Sequence, residues 1–293
     1  SIIFFFFFSV KEIITHITSQ LIDLYPRDEA QAIAWWIVEE STGLSRNEIL
    51  TGCKGTKNIP NLQTIIDRLH QFEPIQYIFG HTVWHGLDLK VTPATLIPRP
   101  ETAELVDQII HAHLDPGKKQ VKVLDVGTGS GCIAIALKKA YPHWSVKGID
   151  ISEAAIEVAK ENAKRNGVEV EFGIADIFSD SEDLLSSDFI GKKHPYDIVV
   201  SNPPYICERE KEEMRANVLD YEPHSALFVP DEDPLKFYRR IASLHLGARL
   251  FFEINEAYPS EIATLLHELQ YTEIQVSEDI YGKARVIQAR SAR

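Results

Sequence analysis

The sequence predicts an α/β domain built on a doubly wound, mostly parallel sheet of seven strands, with a small helical domain before it. Beyond Val121, short runs rich in β-branched and aromatic residues alternate with helical stretches. A glycine-rich turn follows the first of these runs and leads directly into a helix. Strands that alternate with helices pair in parallel, and the helices cover both faces of the sheet.

The N-terminal part of the chain has a different pattern. From Val10 to about Arg68 the apolar residues recur at helical spacing, and polar breaks divide the segment near Tyr25 and again over Gly52–Pro60. We therefore predict a helical bundle domain over residues 1–74. The apolar run Ser1–Phe8 is much shorter than the ~20 residues that cross a bilayer. It also lacks the flanking features of a signal peptide, so we expect a frayed or docked terminus.

Between the two domains, aromatic and aliphatic residues mix with Gly80 and Gly86, which is typical of a hairpin. We predict a β-hairpin linker over residues 75–92 and a second domain over residues 93–293. Its seven strands are expected at residues 121–126, 145–150, 168–175, 197–201, 250–254, 272–277 and 285–289. Only a short turn separates the last two strands, which predicts an antiparallel pair at the sheet edge.

Composition narrows the functional classes. The chain has 293 residues, 44% apolar and 25% charged, which is ordinary for a globular protein. Its net charge of −13 argues against sequence-independent nucleic-acid binding, which relies on clustered Lys and Arg. The three cysteines, Cys53, Cys132 and Cys207, lack the spacing of a metal site or a disulfide scaffold. We expect a cytoplasmic monomer with no metal, no membrane attachment and no stable nucleic-acid partner.

The glycine turn predicts a site for a nucleoside cofactor. It runs through Gly127, Gly129 and Gly131 at the start of a helix, where glycines allow a ligand to approach the backbone closely. Asp150 ends the second strand, where a carboxylate can accept hydrogen bonds from two ribose hydroxyls. Asp176 ends the third strand, where this fold usually contacts adenine, although an N-cap role for Asp176 remains the alternative.

The spacing of the loop decides between two cofactors. A nicotinamide dinucleotide fingerprint needs Gly or Ala at its sixth position, where this chain has Cys132. The form Gly-x-Gly-x-Gly after Asp125 resembles instead the loop that binds S-adenosyl-L-methionine, where no pyrophosphate has to be held. Asp125 can then face the cationic amino-acid part of the cofactor.

The fourth strand runs directly into Asn202-Pro203-Pro204-Tyr205, beside the expected cofactor crevice. The Asn202 side-chain oxygen and a backbone carbonyl, expected to be that of Pro203, can accept both hydrogens of a planar NH₂ group. Tyr205 offers a flat face for stacking. Such a site orients a nitrogen for methyl transfer, and orientation carries much of the catalysis because an amide nitrogen is a poor nucleophile.

These motifs resemble the HemK/PrmC family of peptide chain release factor glutamine methyltransferases, and the resemblance covers nearly the whole chain. It also rests on Glu73–Ile78 and on Pro93–Thr102, the most family-specific segment. It implies a Rossmann-like, seven-stranded class I methyltransferase domain. The implied activity is transfer of a methyl group from S-adenosylmethionine to the glutamine N5 of the Gly-Gly-Gln motif. Class I release factors would be the partners and would dock on the N-terminal domain.

The resemblance also assigns roles to residues. Asn202, Pro203 and Tyr205 would be catalytic, and Asn202 to Tyr205, including Pro204, would hold the substrate glutamine. The cofactor would be bound by Asp125, Gly127, Thr128, Gly129, Ser130, Gly131, Asp150, Asp176, Ile177 and Asn202. In the family, the residue after the third-strand acid is often aromatic and packs on adenine. In this chain that residue is Ile177, so the contact is aliphatic or is made by Phe178.

Two other functions are compatible with parts of the pattern. An adenine N6-methyltransferase could use the same tetrapeptide to hold an exocyclic amine. The acidic charge and the absence of a recognition module argue against it. A non-enzymatic cofactor-binding scaffold is the second alternative, and the intact Asn202 and Tyr205 disfavour it.

Overall fold

The computed structural model describes residues 10–51, 59–112, 120–179 and 194–292. The chain divides into two compact units between Phe79 and Gly80. The run Ser1–Phe8 and Cys53 lie outside the described residues, so the expectations for them stay predictions. None of the described helices is both long enough and apolar enough to cross a membrane.

The first unit is helical, as the apolar spacing predicts. Its described helices are α1 (Val10–Leu21), α2 (Arg27–Thr42), α3 (Arg46–Leu50), α4 (Leu62–His70) and α5 (Ile75–Phe79). Ile17, Leu21 and Ile37 are fully enclosed in their shared apolar core. The Tyr25 hydroxyl donates to the Leu69 carbonyl over 2.8 Å, which joins α4 to the turn after α1. Helices of this length depend on such packing because they are marginal alone.

The structure differs from the predicted linker over residues 75–92. Ile75–Phe79 is helical, because Pro74 starts a helical turn and its carbonyl accepts from the Tyr77 amide. This helix belongs to the first unit. The antiparallel hairpin is β1 (His81–Trp84) and β2 (Leu87–Lys90), and it belongs to the second unit. Three of its side chains are buried in the core of that unit: Trp84, Leu87 and Leu89. The hairpin is part of a folded core rather than a linker.

Among the described residues, the second unit contains a seven-stranded sheet, which confirms the predicted fold. Its strands are β3 (Lys122–Val126), β4 (Ser145–Asp150), β5 (Glu171–Ile174), β6 (Tyr196–Ser201), β9 (Gly247–Glu253), β10 (Tyr271–Glu278) and β11 (Ala284–Ser291). They lie in the order β10-β11-β9-β6-β3-β4-β5. All neighbouring pairs are parallel except those of β11, which is antiparallel to both β9 and β10.

The strand order places a crevice at the centre of the sheet. From β3 the chain builds outward through β4 to β5, and it then returns to the other side of β3 with β6. The loops that leave the carboxyl ends of β3 and β6 therefore diverge. In open parallel sheets a ligand binds in the crevice at such a reversal.

Helices cover the two faces of this sheet and form two apolar cores with it. The described helices are α6 (Pro100–His111), α7 (Cys132–Ala140), α8 (Glu153–Arg165), α9 (Ala216–Leu219), α10 (Lys236–Ser243) and α11 (Pro259–Glu268). Side chains of α6, α7 and the hairpin share one core, and side chains of α10 and α11 share the other. The strands are apolar on both sides because both faces are covered.

The segment after Asn202-Pro203-Pro204-Tyr205 leaves the main sheet. It contains β7 (Ile206–Cys207) and β8 (Phe228–Val229), which pair in parallel. The charged run Glu208–Glu213 between them is a 3₁₀ helix with no buried side chain.

Candidate active site

The glycine loop joins the buried end of β3 to the first turn of α7. Gly127, Gly129 and Gly131 have φ values of 70°, 53° and 80°, a region that L side chains rarely adopt. A Cβ atom at Gly127 or Gly129 would meet no atom within 4 Å, whereas one at Gly131 would lie 3.1 Å from Ala159 and Phe172. The first two glycines therefore border open space, and the third allows α7 to pack closely.

Asp125 lies at the base of this loop and is completely buried. The Thr128 hydroxyl donates to its Oδ2 over 2.6 Å. Its Oδ1 is buried and has no hydrogen-bond partner among the residues that the structure describes. Burial raises the pKa of Asp125 to about 7, although hydrogen bonding from the Thr128 hydroxyl and from the Ala134 amide acts to lower it. A buried acceptor without a donor is unfavourable, so the position suits a ligand that brings a donor group.

Asp150, at the end of β4, holds the same loop from the other side. Its Oδ2 accepts from the Gly129 amide over 2.9 Å, and its Oδ1 accepts from the Ser152 amide over 2.9 Å. A carboxylate oxygen has two lone pairs, so each of these oxygens can accept one more hydrogen bond. Asp150 can therefore shape the loop and bind ribose hydroxyls at the same time.

The residues after β5 form a tight turn. The Asp176 carboxylate accepts from the Phe178 amide over 2.8 Å, which caps this turn as the alternative to an adenine contact expects. Ile177 is half-buried against one of the sheet cores. Phe178 is 41% exposed and packs edge-on against Phe237, with the Lys236 ammonium 4.7 Å from the centre of its ring.

Asn162 of α8 supports the loop from below and was not identified from the sequence. It is fully buried. Its Nδ2 donates to the Ser130 carbonyl over 2.9 Å and to the Lys90 carbonyl over 3.0 Å, while its Oδ1 accepts from the Lys90 amide. The sequence signal that could have indicated this role is a single amide side chain among the alanines on the buried face of α8. Asn162 therefore ties the glycine loop to the hairpin.

The predicted tetrapeptide lies beside the glycine loop. The Ser201 hydroxyl at the end of β6 donates to the Val126 carbonyl over 2.6 Å, which holds the ends of β6 and β3 together. Pro203 is buried, whereas Asn202, Pro204 and Tyr205 are half-buried at the crevice. The structure thus brings the tetrapeptide and the predicted cofactor loop to one edge of the sheet.

Two residues that were not identified as site residues hold the tetrapeptide from behind. Thr102 in the first turn of α6 accepts from Asn202 Nδ2 over 3.2 Å and donates to Glu253 Oε2 over 2.6 Å. The Tyr205 hydroxyl donates to Glu253 Oε1 over 3.1 Å. Burial raises the pKa of Glu253, and its hydrogen bonds with Thr102 and Tyr205 act to lower it. The detectable signal is one acid within the apolar run 250–254.

A cavity of about 110 Å³ opens next to Asn202, and its walls are mainly apolar. Its lining residues include Leu96, Arg99, Asn202, Pro203, Tyr205 and Met214. Arg99 is held by the buried carboxylate of Glu222, 2.6 Å from its guanidinium, and that carboxylate also accepts from the Ile97 amide. The segment before α6 therefore forms one wall of the cavity. Arg99 lies in the segment that carries the most specific family resemblance, but the sequence alone predicts no role for Arg99 or Glu222.

Comparisons with known proteins show the family of this chain. The family model of the PrmC N-terminal domain matches residues 12–80, and that of the methyltransferase small domain matches residues 105–220. The release factor glutamine methyltransferase of Bacteroides thetaiotaomicron is 44% identical over 96% of this chain and 99% of the relative. The release factor glutamine methyltransferase of Flavobacterium psychrophilum is 40% identical over 95% of this chain and 98% of the relative.

A solved structure also shares the fold. The hMettl16 catalytic domain, solved in complex with a 3'UTR hairpin, is 16% identical and covers 80% of this chain and 93% of its own, with a TM-score of 0.52. At this identity the likeness concerns the fold alone. The identity to the two bacterial relatives extends over nearly the whole of both chains, and we conclude that this chain belongs to the release factor glutamine methyltransferase family, as its motifs predict.

Proposed function

We propose that this chain transfers a methyl group from S-adenosylmethionine to the side-chain amide nitrogen of the Gly-Gly-Gln glutamine in class I release factors. One observation carries the proposal. Asn202 donates its NH₂ to Thr102, and its Oδ1 has no hydrogen bond within the described part of the chain. An amide oxygen at the crevice, beside a small apolar cavity, is suited to accept a hydrogen from a planar NH₂ group.

The residues of the crevice fit the proposed cofactor, which supplies a methyl group bonded to a positively charged sulfur. Asp125 offers a buried oxygen without a donor, which suits an ammonium group. Asp150 retains acceptor positions for ribose hydroxyls. Gly127 and Gly129 leave open space above the loop. Thr128, Ser130 and Gly131 shape the loop, and Asp176 with Ile177 or Phe178 would border adenine.

The tetrapeptide supplies the substrate contacts. Asn202 Oδ1 and the Pro203 carbonyl would each accept one hydrogen of the glutamine NH₂, and Tyr205 and Pro204 would border its plane. Two accepted hydrogen bonds hold the nitrogen in line with the methyl group and increase its negative character. The chain's own contribution is therefore orientation and polarisation of a weak nucleophile. The helical first unit would bind the body of the release factor.

The proposal is tested by incubating the full chain with a class I release factor and S-adenosylmethionine labelled in its methyl group. Peptide mass spectrometry should place the label on the glutamine of the Gly-Gly-Gln motif. A release factor with glutamate at that position has no NH₂ and should accept no label. DNA and RNA of mixed sequence should also remain unlabelled. Label on adenine with none on the glutamine would contradict the proposal and favour the nucleic-acid alternative.

A further inference from the structure

The side chain of Asn202 is held by a chain of hydrogen bonds that crosses three elements. Thr102 belongs to α6, Glu253 ends β9, and Asn202 follows β6. Thr102 and Glu253 are each only 2% exposed. The separations are 3.2 Å between Asn202 Nδ2 and Thr102 Oγ1, and 2.6 Å between Thr102 Oγ1 and Glu253 Oε2. Water therefore has little access to the links behind the amide.

The direction of each hydrogen bond follows from the chemistry of the groups. An ionised carboxylate only accepts, so the single hydrogen of the Thr102 hydroxyl is donated to Glu253. Toward Asn202 the same hydroxyl can then only accept, and the group facing it has to be the NH₂ of the amide. The two ends of an amide have nearly the same shape, so hydrogen bonds alone decide which end faces which way. Asn202 Oδ1 consequently points away from Thr102.

Glu253 also orients the other end of the tetrapeptide. Its second oxygen, Oε1, accepts from the Tyr205 hydroxyl over 3.1 Å. The Asn255 side chain, two residues further along the chain, donates to the Tyr205 carbonyl over 3.1 Å. The Tyr238 hydroxyl of α10 donates to the Glu253 carbonyl and holds the end of β9 in place. One buried carboxylate is therefore linked to both Asn202 and Tyr205.

We propose that Glu253, acting through the hydroxyl of Thr102, is a positioning residue that directs the oxygen of Asn202 toward the substrate amide. This inference rests on the proposed function, in which Asn202 Oδ1 accepts a hydrogen from the reacting NH₂. With Thr102 donating to Glu253, the amide is held with its acceptor toward the substrate before binding. Without that direction, the amide can turn and present its own NH₂ to the substrate NH₂, and two donors repel.

The main test removes the link and keeps its shape. Thr102→Val should lower kcat roughly 10- to 100-fold, because orientation of the nucleophile is lost, while KM for the release factor and the Kd of S-adenosylmethionine change little. Thr102→Ser keeps the hydroxyl and should restore most of kcat. Thr82→Val makes the same change at a buried threonine of the hairpin, and its kcat should equal that of the wild type. Circular dichroism verifies the fold of each variant.

A double-mutant cycle separates positioning from a general structural effect. If Thr102 acts through Asn202, then Thr102→Val should cause little further loss of kcat in a chain that already carries Asn202→Ala. An equal loss in both backgrounds would overturn the inference, as would a wild-type kcat for Thr102→Val in a folded protein. An unchanged kcat for Asn202→Ala alone would instead contradict the proposed function.

The pH profile gives an independent measurement. Glu253 faces Arg285 of β11, Glu101 and Thr102 of α6, and the Tyr205 hydroxyl, and burial raises the pKa of Glu253. A protonated Glu253 can donate to Thr102, which frees the hydroxyl to donate toward Asn202 and removes the preference for one amide orientation. The wild-type kcat should therefore fall with decreasing pH through that pKa. Thr102→Val should remove the part of this titration that passes through Asn202 and leave only the part that passes through Tyr205. An unaltered titration in the variant would contradict the inference.

Discussion

Three buried carboxyl groups lie near the active edge of the sheet, and they differ in the donors that they receive. Glu222 is paired with the Arg99 guanidinium and the Ile97 amide, and Glu253 receives two hydroxyl hydrogens. Asp125 receives the Thr128 hydroxyl on Oδ2, and its Oδ1 has no partner in the described ranges. A buried carboxylate is stable only when donors surround it. Asp125 is therefore the acid of the three that a ligand with a donor group would stabilise most.

The state of Asp125 predicts how stability depends on pH. Its pKa in the folded chain is about 7, above the ordinary value of 3.8, so between these values the folded state holds a proton that the unfolded state has lost. The contribution of Asp125 to the free energy of unfolding should therefore fall by up to roughly 4 kcal/mol as pH rises from about 4 to about 7, and then stay level. Urea unfolding without cofactor measures this change.

The Asp125→Asn variant is the matched comparison for that measurement. Asparagine stays neutral, so the variant should be about as stable as the wild type near pH 5 and more stable near pH 8. In calorimetric titrations the same variant should bind S-adenosylmethionine more weakly, because an ammonium group loses its charged partner. Parallel stability profiles for the two chains would show that Asp125 does not titrate in this range.

Asn202 is the residue with the largest expected effect on turnover. Asn202→Ala deletes the proposed acceptor without adding charge or bulk, and it should lower kcat by roughly 10²–10³. The Kd of S-adenosylmethionine should change much less, because the main cofactor contacts are assigned to the glycine loop and to Asp150. Single-turnover methyl transfer and calorimetry measure the two quantities separately. A loss confined to cofactor binding would move Asn202 from the reaction to the cofactor site.

At the scale of elements, the glycine loop couples β3, β4 and α7. The amides of Gly127 and Thr128 both donate to the Ile149 carbonyl over 2.9 Å, and the Gly129 amide donates to Asp150. The first three residues of the loop are therefore attached to the neighbouring strand. A preformed loop of this kind loses little freedom when it binds a ligand.

Gly129 and Gly167 provide a matched pair of substitutions. Both have positive φ, 53° and 67°, and a Cβ atom at either position meets no atom within 4 Å. Alanine at either position should therefore lower the free energy of unfolding by roughly 1–2 kcal/mol, because its Cβ strains the backbone. Gly129→Ala should also weaken S-adenosylmethionine binding roughly tenfold or more, because its methyl group occupies the crevice. Gly167 follows α8 away from the crevice, and Gly167→Ala should leave the Kd unchanged. Equal Kd values for both variants would place the cofactor elsewhere.

At the scale of the whole molecule, the position of the unit boundary predicts which part of the chain can fold alone. The division lies between Phe79 and Gly80, so the hairpin belongs to the sheet unit. Trp84 is buried in the core of this unit, and its indole N–H also donates to the Arg99 carbonyl over 2.7 Å. This contact joins it to the segment that lines the cavity beside Asn202.

Two truncations test this division. A chain that begins at Gly80 should fold and bind S-adenosylmethionine as tightly as the full chain. A chain that begins at Thr92 lacks the buried Trp84, Leu87 and Leu89 and should lose about 4 kcal/mol or more of unfolding free energy. Chemical denaturation and calorimetry measure both. If the first unit binds the release factor, the Gly80 chain should have a raised KM for that substrate, and an unchanged KM would contradict the docking role.

Local sequence signals determined much of this protein. The alternation of strands and helices, the glycine loop and the tetrapeptide after β6 were all predictable, because each depends on residues close together in the chain. The crevice was predictable as well, since the glycine loop and Asp150 mark the carboxyl ends of the first two strands of the sheet. The hairpin was recognised from its glycines, but its membership of the second unit was not, because that depends on which core buries Trp84.

Only the tertiary structure decided which residues support the predicted site. Asn202 and Thr102 are 100 positions apart in the chain, and Thr102 and Glu253 are 151 apart. No periodicity connects such positions, and the local sequence explains each residue simply as part of its own helix, strand or loop. Their hydrogen bonds exist because α6 packs on β9 and β9 pairs with β6. Chemistry that depends on neighbouring residues is therefore visible in the sequence, whereas the orientation of its groups is set by contacts between distant segments.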